Sequence, residues 1–541
     1  MSGIKVPRLL RDGAILQRGK AIHIWGFCDA GSEVSISICE QKIRTVADDT
    51  NRFDAYLEPM EAGGPYELII SDKEETVTIG DVLIGDVFVM SGQSNMEFPM
   101  SRVRDTFPEE WNGKTYEKLR IFKIRERYVF DGPLEELETG SWVSIGPDML
   151  NECPAIGYFL CQQLYEKTGV PVGVINASLG GSPIEAWMSK EMLADYPLKL
   201  EEAEYYKDEE HIVDALKDNN RINDQWRGLL DERDPGVKEN WQNITDLSGL
   251  ENIDLPEFFD NTVLDGFIGS VWLFKEFQAG DELLANDSVL WLGTLTDSDI
   301  TYVNGVEVGR IEYKYPPRRY KIDKKLLKRG SNIIAVRLRV ETGMGRVTPG
   351  KKLAVITGDV RRIMDGSKEE ITGEDYSVDL SGQWSYRIGA RMDRIEPVNF
   401  VNWKPTGLYN GMLHACTNHT IAAFIFYQGE SNTDDSLEYY DKMTYTQAGM
   451  LRELWKDEKL PYVYTRLPNF VFNGYEKGEI IKNETWWNRL KEVQNRIKDE
   501  LPYSYMAVTD GMGEDNDIHP QNKKAVAGEY VRILMDNHIV G

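Results

Sequence analysis

Short runs of β-branched and aromatic residues, cut by Gly, Asp and Pro, open the chain. AIHIWGF (21–27), SEVSISI (32–38), PYELIIS (65–71) and ETVTIGDVLIG (75–85) follow one another, and runs of that length between turn residues predict an all-β segment over residues 1–80. Near residue 82 the pattern changes. VLIGDVFVMSG (82–92) is almost continuously apolar and ends in small residues, which predicts a strand covered on both faces. CPAIGYFLCQQLYEKTG (153–169) spaces its apolar residues as a helix does and stops at Gly169, and PVGVINASLGG (171–181) returns to an apolar strand. Strand, helix, strand at this rhythm predicts an α/β layered domain. A charged, helix-prone stretch fills 189–245.

From about 262 to 390 the pattern is β again: GFIGSVWLFKEF, SVLWLGTL, DITYVNGVEVG, RRYKI and NIIAVRLRV, with a hairpin signal at Asn304-Gly305. After 405 the α/β rhythm resumes. IAAFIFYQGESN, LPYVYTRLP and YSYMAVTD read as strands, and the stretches 439–457, 484–500 and 522–537 read as helices. The expected organisation is an N-terminal β domain (1–80), the first part of an α/β domain (81–255), an inserted β-sandwich (256–395) and the second part of the α/β domain (396–541).

Composition narrows the function classes. Apolar residues make up 41% and aromatics 11% of 541 residues, enough for large cores. A net charge of −27 disfavours nucleic acid and anionic membranes as partners, and an anionic substrate would need local Arg or Lys. The five cysteines form no CxxC and no zinc spacing, so neither a disulfide framework nor a metal is expected, and no cofactor is implied. No apolar stretch reaches the roughly 18 residues of a membrane span. The N-terminus shows no h-region, so a cytoplasmic location is expected. Self-association is left open.

Ligands of open α/β sheets sit at the C-terminal ends of the strands. Three predicted strands end in polar clusters, SGQSNMEF (91–98), SLGGSPIEAW (178–187) and YQGESN (427–432), and NDIHP (516–520) precedes the last helix. Singly each is an ordinary turn or cap; the functional expectation rests on all four in order. Ser94 follows a buried strand at a helix start, and a serine nucleophile needs a base, which is usually histidine. Of six histidines, His23 falls in the β segment, His211 in the charged stretch and His538 near the terminus. His414 and His419 precede a strand, at its opposite end. His519 remains, in a polar loop.

These blocks resemble the sialate O-acetylesterase family, within the SGNH (GDSL-like) hydrolases. VFVMSGQSNMEFPM is similar to its nucleophile block, VINASLGGSPIEAWMS and IFYQGESN to its second and third, and DIHPQNK to its histidine block; LLRDGAILQRGKAIHIWGF, LYNGMLH and RLPNF match further landmarks. The resemblance implies a flavodoxin-like three-layer SGNH domain with a galactose-binding-like insert. It implies a Ser94–His519 pair and an oxyanion hole from the N–H groups of Ser94 and Gly181, with Gly180 as fallback, and the Gln428 amide. The family pattern Asp-x-x-His is broken, because Asn516 stands three before His519. Asp517, Asp515, Asp510 or a backbone carbonyl is left to orient the imidazole, Asp517 being favoured. Gln93, Asn95, Trp187 and Glu430 are expected to contact the substrate, an acetylated sugar such as an O-acetyl sialic acid or an acetylated xylo-oligosaccharide. Two readings of other classes stay open: a sugar-binding protein, and a glycoside hydrolase using carboxylates such as Glu97, Glu185 or Glu430.

Overall fold

The computed structural model describes residues 3–104, 106–365, 375–470, 473–476, 479–482, 484–513 and 517–541. Seven strands form its central sheet, in the order Ser504–Ala507, Tyr462–Thr465, Ala423–Tyr427, Thr76–Gly92, Val172–Ser178, Tyr116–Lys123, Trp142–Ile145. All neighbours are parallel except the last pair. Every residue of Val172–Ser178 is buried, as is every residue from Val82 to Gly92, as strands covered on both faces require. Helix Ala155–Thr168 packs on Lys523–Asp536, and Tyr440–Leu454 on Glu484–Glu500. The chain runs from Thr76–Gly92 to one side of the sheet and returns on its other side with Ala423–Tyr427, so the order reverses at Thr76–Gly92. In such sheets the ligand crevice lies at that reversal.

The N-terminal strands are not a detached unit. The 80/81 boundary expected from composition falls inside the single strand Thr76–Gly92. Its first half pairs with Gly63–Ser71 and Ile15–Gln17, its second half with the central sheet. One apolar core runs continuously from Leu9 through Ile36 and Phe88 to Leu534. What changes near residue 82 is the environment of the strand, from partly exposed to wholly covered.

Residues 251–391 carry a second core. One antiparallel sheet runs Glu251–Leu255, Gly382–Arg391, Gly269–Ala279, Gly330–Val340, Ser298–Val303, Val306–Ile311, and another runs Arg319–Ile322, Ser288–Leu292, Leu353–Thr357, Tyr376–Asp379. Leu273, Val336 and Trp384 of the first meet Leu290, Ile322 and Val355 of the second in one apolar cluster, the packing of a two-sheet sandwich.

The sandwich is tied to the helix Glu209–Arg233 through Asp234, which is fully buried. Its carboxylate accepts from Ser270 Oγ and Arg337 Nε, both at 2.8 Å, and from Trp272 Nε1 at 3.2 Å. Arg337 keeps a second partner, Asp231, at 2.7 Å. Asp234→Ala, which strands the other donors, is expected to lower stability by about 1–3 kcal/mol, measured by denaturant unfolding. The five cysteines are free and Cys39 is exposed. No helix among the described residues is long and apolar enough to cross a membrane.

Candidate active site

Gly92 pairs with Ser178 on one side and Tyr427 on the other. The first three polar clusters therefore leave the sheet at one level. Gly92 takes φ +133°, and a Cβ there would lie 2.0 Å from the Tyr427 carbonyl oxygen, so only glycine permits this exit. Gln93 then donates its N–H to that carbonyl at 3.0 Å, and Ser94 opens the one-turn helix Ser94–Glu97. The fourth cluster arrives from the loop before Lys523–Asp536. It places His519 Nε2 2.8 Å from Ser94 Oγ, within reach for proton transfer.

The His519 imidazole contacts two aromatic rings, Phe98 stacked at 5.6 Å and Tyr315 edge-on at 4.8 Å. Burial, with the charges of Lys523, Arg102, Lys314 and Arg346, pushes its pKa down to about 3. Asp517 accepts the N–H of His519 itself at 2.9 Å, and its Oδ1 lies 4.0 Å from Nδ1, longer than a hydrogen bond. Asp510 is held by Arg466 and by Lys491; Asp515 and Asn516 lie outside the described residues. Among the described residues, Asp517 is thus the carboxylate that comes within 4.0 Å of the ring.

The ring is neutral, and able to accept a proton, throughout the range in which an ordinary histidine becomes charged. The acid limb of kcat/KM is therefore expected below pH 6.5, with activity lost only as pH falls toward about 3. A pH–rate profile at constant ionic strength measures it, and a limb at 6.5 or above contradicts it. Stability has the matching sign. The unfolded chain binds a proton at His519 that the folded one refuses, so this group's contribution weakens as pH falls below 6.5.

Among the described residues, the backbone N–H groups of Ser94 and Gly181 have no protein acceptor. The Gly180 N–H does have one, donating to Glu97 Oε2 at 2.7 Å, which removes it as the fallback donor. The Gln428 amide faces protein. Its Nε2 donates to Asn432 Oδ1 at 2.5 Å, with Gln93 Oε1 and Ser182 O at 3.2 and 3.3 Å. That orientation is fixed because Asn432 Oδ1 also accepts the Ile184 N–H. Gln428 braces the second and third blocks together, and donating to an oxyanion would cost it those bonds.

The expected substrate contacts need correction. Trp187 is fully buried, with Nε1 donating to Ser182 Oγ at 2.8 Å; a large ring gains most from the core. Gln93, Asn95 and Glu430 are buried too and form the floor beneath the serine. Asn95 Nδ2 donates to Glu430 Oε1 at 2.5 Å and to the Ile518 carbonyl at 2.9 Å, while Lys523 Nζ donates to Asn95 Oδ1. This network links the nucleophile turn to the histidine loop. Burial raises the Glu430 pKa to about 7, against its bond from Asn95 and the charge of Lys523.

Sequence reasoning missed the residues around the opening. Trp403 donates Nε1 to the Gly180 carbonyl at 2.9 Å and stacks on Phe400 at 3.8 Å; Phe400 is exposed. Lys314, Tyr315 and Arg346 come from the inserted sandwich. No motif marked them, since their placement depends on how that sandwich seats. Among the described residues, no group of three or more His, Cys, Asp or Glu is placed to hold a metal ion.

Residues 398–529 match the family of carbohydrate esterases, sialic acid-specific acetylesterase. That segment contains Gln428 and His519 but not Ser94. The sialate O-acetylesterase of Rattus norvegicus is 30% identical over 186 residues, 31% of this chain and 34% of that protein; the Homo sapiens enzyme is 28% identical over 204 residues, 35% and 39%. The chain thus spans between a third and two fifths of the length of the curated relatives it matches. A carbohydrate acetylesterase from Xanthomonas citri shares the fold over 97% of this chain and 73% of its own, with a TM-score of 0.54 at 20% identity. Residues 398–529 thus match the model of the sialic acid-specific acetylesterases among the carbohydrate esterases, and about a third of the chain is similar to sialate O-acetylesterases.

Proposed function

We propose that this protein is a serine esterase of the SGNH hydrolase fold that removes O-acetyl groups from sugars. The observation that carries the reading is the Ser94–His519 pair at 2.8 Å, set at the reversal point of a parallel sheet, with the N–H groups of Ser94 and Gly181 left without a protein acceptor among the described residues. His519 Nε2 takes the Ser94 proton while Oγ attacks the acetyl carbonyl. The oxyanion is met by the two N–H groups, the tetrahedral adduct collapses, and the sugar oxygen leaves with the proton held on His519. Water, deprotonated by His519, then attacks the acetyl-serine and releases acetate. The two-sheet packing of residues 251–391 supports reading the insert as a galactose-binding-like sandwich.

Among acetylated sugars, we favour one carrying a carboxylate, such as a sialate, over a neutral xylo-oligosaccharide. Arg102, Lys314, Arg346 and Lys523 bring positive charge to His519 in a chain of net charge −27, and local charge of one sign selects ligands of the other.

The test is acetate release from O-acetyl sialic acid, acetylated uronic acids and acetylated xylo-oligosaccharides, before and after treatment with an organophosphonate serine reagent. The expected result is release that the reagent abolishes while labelling Ser94, with a higher and salt-sensitive kcat/KM on carboxylated sugars. If no substrate in the panel releases acetate, the sugar-binding and glycosidase readings take its place.

A further inference from the structure

The loop Glu312–Pro317 belongs to the sandwich, yet it reaches the catalytic pair. Tyr315 lies edge-on to His519 at 4.8 Å, its ring plane at 82° to the imidazole, and Phe98 of the nucleophile block stacks on the same imidazole at 5.6 Å. Tyr313 accepts a hydrogen bond from Arg102 at 3.3 Å, so the loop also touches the segment after the nucleophile.

The loop is held by a device buried in the sandwich. Arg318 is fully buried and paired with Asp299, also fully buried, at 2.8 Å. Its Nη1 donates to the Pro316 carbonyl at 2.7 Å, and its Nη2 to the Tyr313 carbonyl at 3.0 Å and to the Asp297 carbonyl outside the loop at 3.2 Å. The Tyr313 and Pro316 carbonyls flank Tyr315, so a side chain deep in the sandwich fixes the residue that meets the histidine. Tyr320 Oη and Thr301 Oγ1 donate to the other Asp299 oxygen at 2.8 and 2.7 Å, which keeps the ion pair satisfied. Pro316 and Pro317 stiffen the loop further.

Among the described residues, none is hydrogen-bonded to Nδ1 of His519. A serine hydrolase ordinarily orients the ring through a hydrogen bond at Nδ1, but the Asp517 carboxylate stands at 4.0 Å. We propose that the inserted sandwich is part of the catalytic centre, with Tyr315 a positioning residue that packs, with Phe98, on His519 and keeps Nε2 on Ser94. The inference rests on the esterase reading for its kinetic arm.

Tyr315 also screens the ring from water. Among the described residues, the titratable and charged groups around His519 are Arg102 and Ser94 from the nucleophile segment, Lys314 and Arg346 from the sandwich, and Lys523 and Asp517 from its own segment. Removing the Tyr315 ring leaves these charges in place and admits solvent, so the histidine becomes easier to protonate.

The experiment compares Tyr315→Ala and Tyr315→Phe in the full chain. Two readouts are used, the pH profile of acetate release and the titration of His519 followed by imidazole NMR. Tyr315→Ala is expected to lower kcat by about tenfold to a hundredfold, as small misplacements of catalytic groups do, with the acid limb and the NMR titration both moving up toward pH 6.5. Tyr315→Phe, which keeps the ring, is expected to restore both. Unchanged kcat and titration in the Ala variant, or a loss that Phe does not restore, overturns the proposal. If the intact chain releases no acetate the esterase reading fails separately, and the NMR titration still decides whether Tyr315 shields His519.

Discussion

Ser94→Ala is expected to cut acetate release by about a millionfold in kcat, the scale seen when the nucleophile of a serine hydrolase is removed. The loss should be chemical rather than structural. Ser94 opens a one-turn helix where alanine is well tolerated, and among the described residues its hydroxyl bonds only to His519, at 2.8 Å. The imidazole keeps its contacts with Phe98 and Tyr315. Binding of an acetylated sugar, read by calorimetry with the variant, should stay within a few-fold of the unaltered chain, and so should the unfolding midpoint. A variant that keeps even a hundredth of the activity would remove Ser94 from the mechanism and return attention to the carboxylates Glu97, Glu185 and Glu430.

Gly181→Ala should come next in size, for a different reason. Gly181 takes φ +77°, and a Cβ there would lie 2.0 Å from the Trp403 ring. The residue faces two penalties at once, a left-handed backbone that costs an L-residue about 1 kcal/mol and a collision with an indole. Either the ring tilts away or the Gly180-Gly181 peptide rotates, and rotation carries off the N–H proposed for the oxyanion. Losing one such donor costs about 2.7–4 kcal/mol, or roughly a hundredfold to a thousandfold in kcat. The double variant with Trp403→Ala relieves the collision and leaves the backbone strain, so it should recover part of the loss. A double-mutant cycle measures that coupling. A Gly181→Ala chain with unaltered kcat would exclude this N–H from the oxyanion hole.

The meeting of Ser94 and His519 was legible because strand ends and elimination both point to them. Four of the other five histidines have structural partners: His23 pairs with Asp54, the buried His419 meets the Ile15 carbonyl, His211 the Tyr205 carbonyl, and His414 the Tyr409 hydroxyl. What periodicity cannot show is which loop of a distant domain leans over the site. The stretch Tyr313-Lys314-Tyr315 reads as an ordinary connection between strands, and only the seating of the sandwich gives it a role. Proximity in sequence misleads for the same reason. Trp187 stands beside the second block and is swallowed by the core, while Trp403, more than two hundred residues on, rests against Gly181. The N-terminal boundary drawn at a change of composition likewise marks where one strand, Thr76–Gly92, passes beneath new neighbours.

Ser94 and His519, the proposed nucleophile and base, are 425 positions apart in the chain, and this separation has a consequence during biosynthesis. A ribosome adding about 5–20 residues per second needs roughly 20–85 s to travel from one to the other. Throughout that interval Ser94 exists without a base. For much of it the central strand Thr76–Gly92 also waits with one edge open, until Ala423–Tyr427 is made. Under the proposed mechanism, nascent chains that stop short of residue 519 are chemically silent. Synthesis through His519 is then the event that arms Ser94.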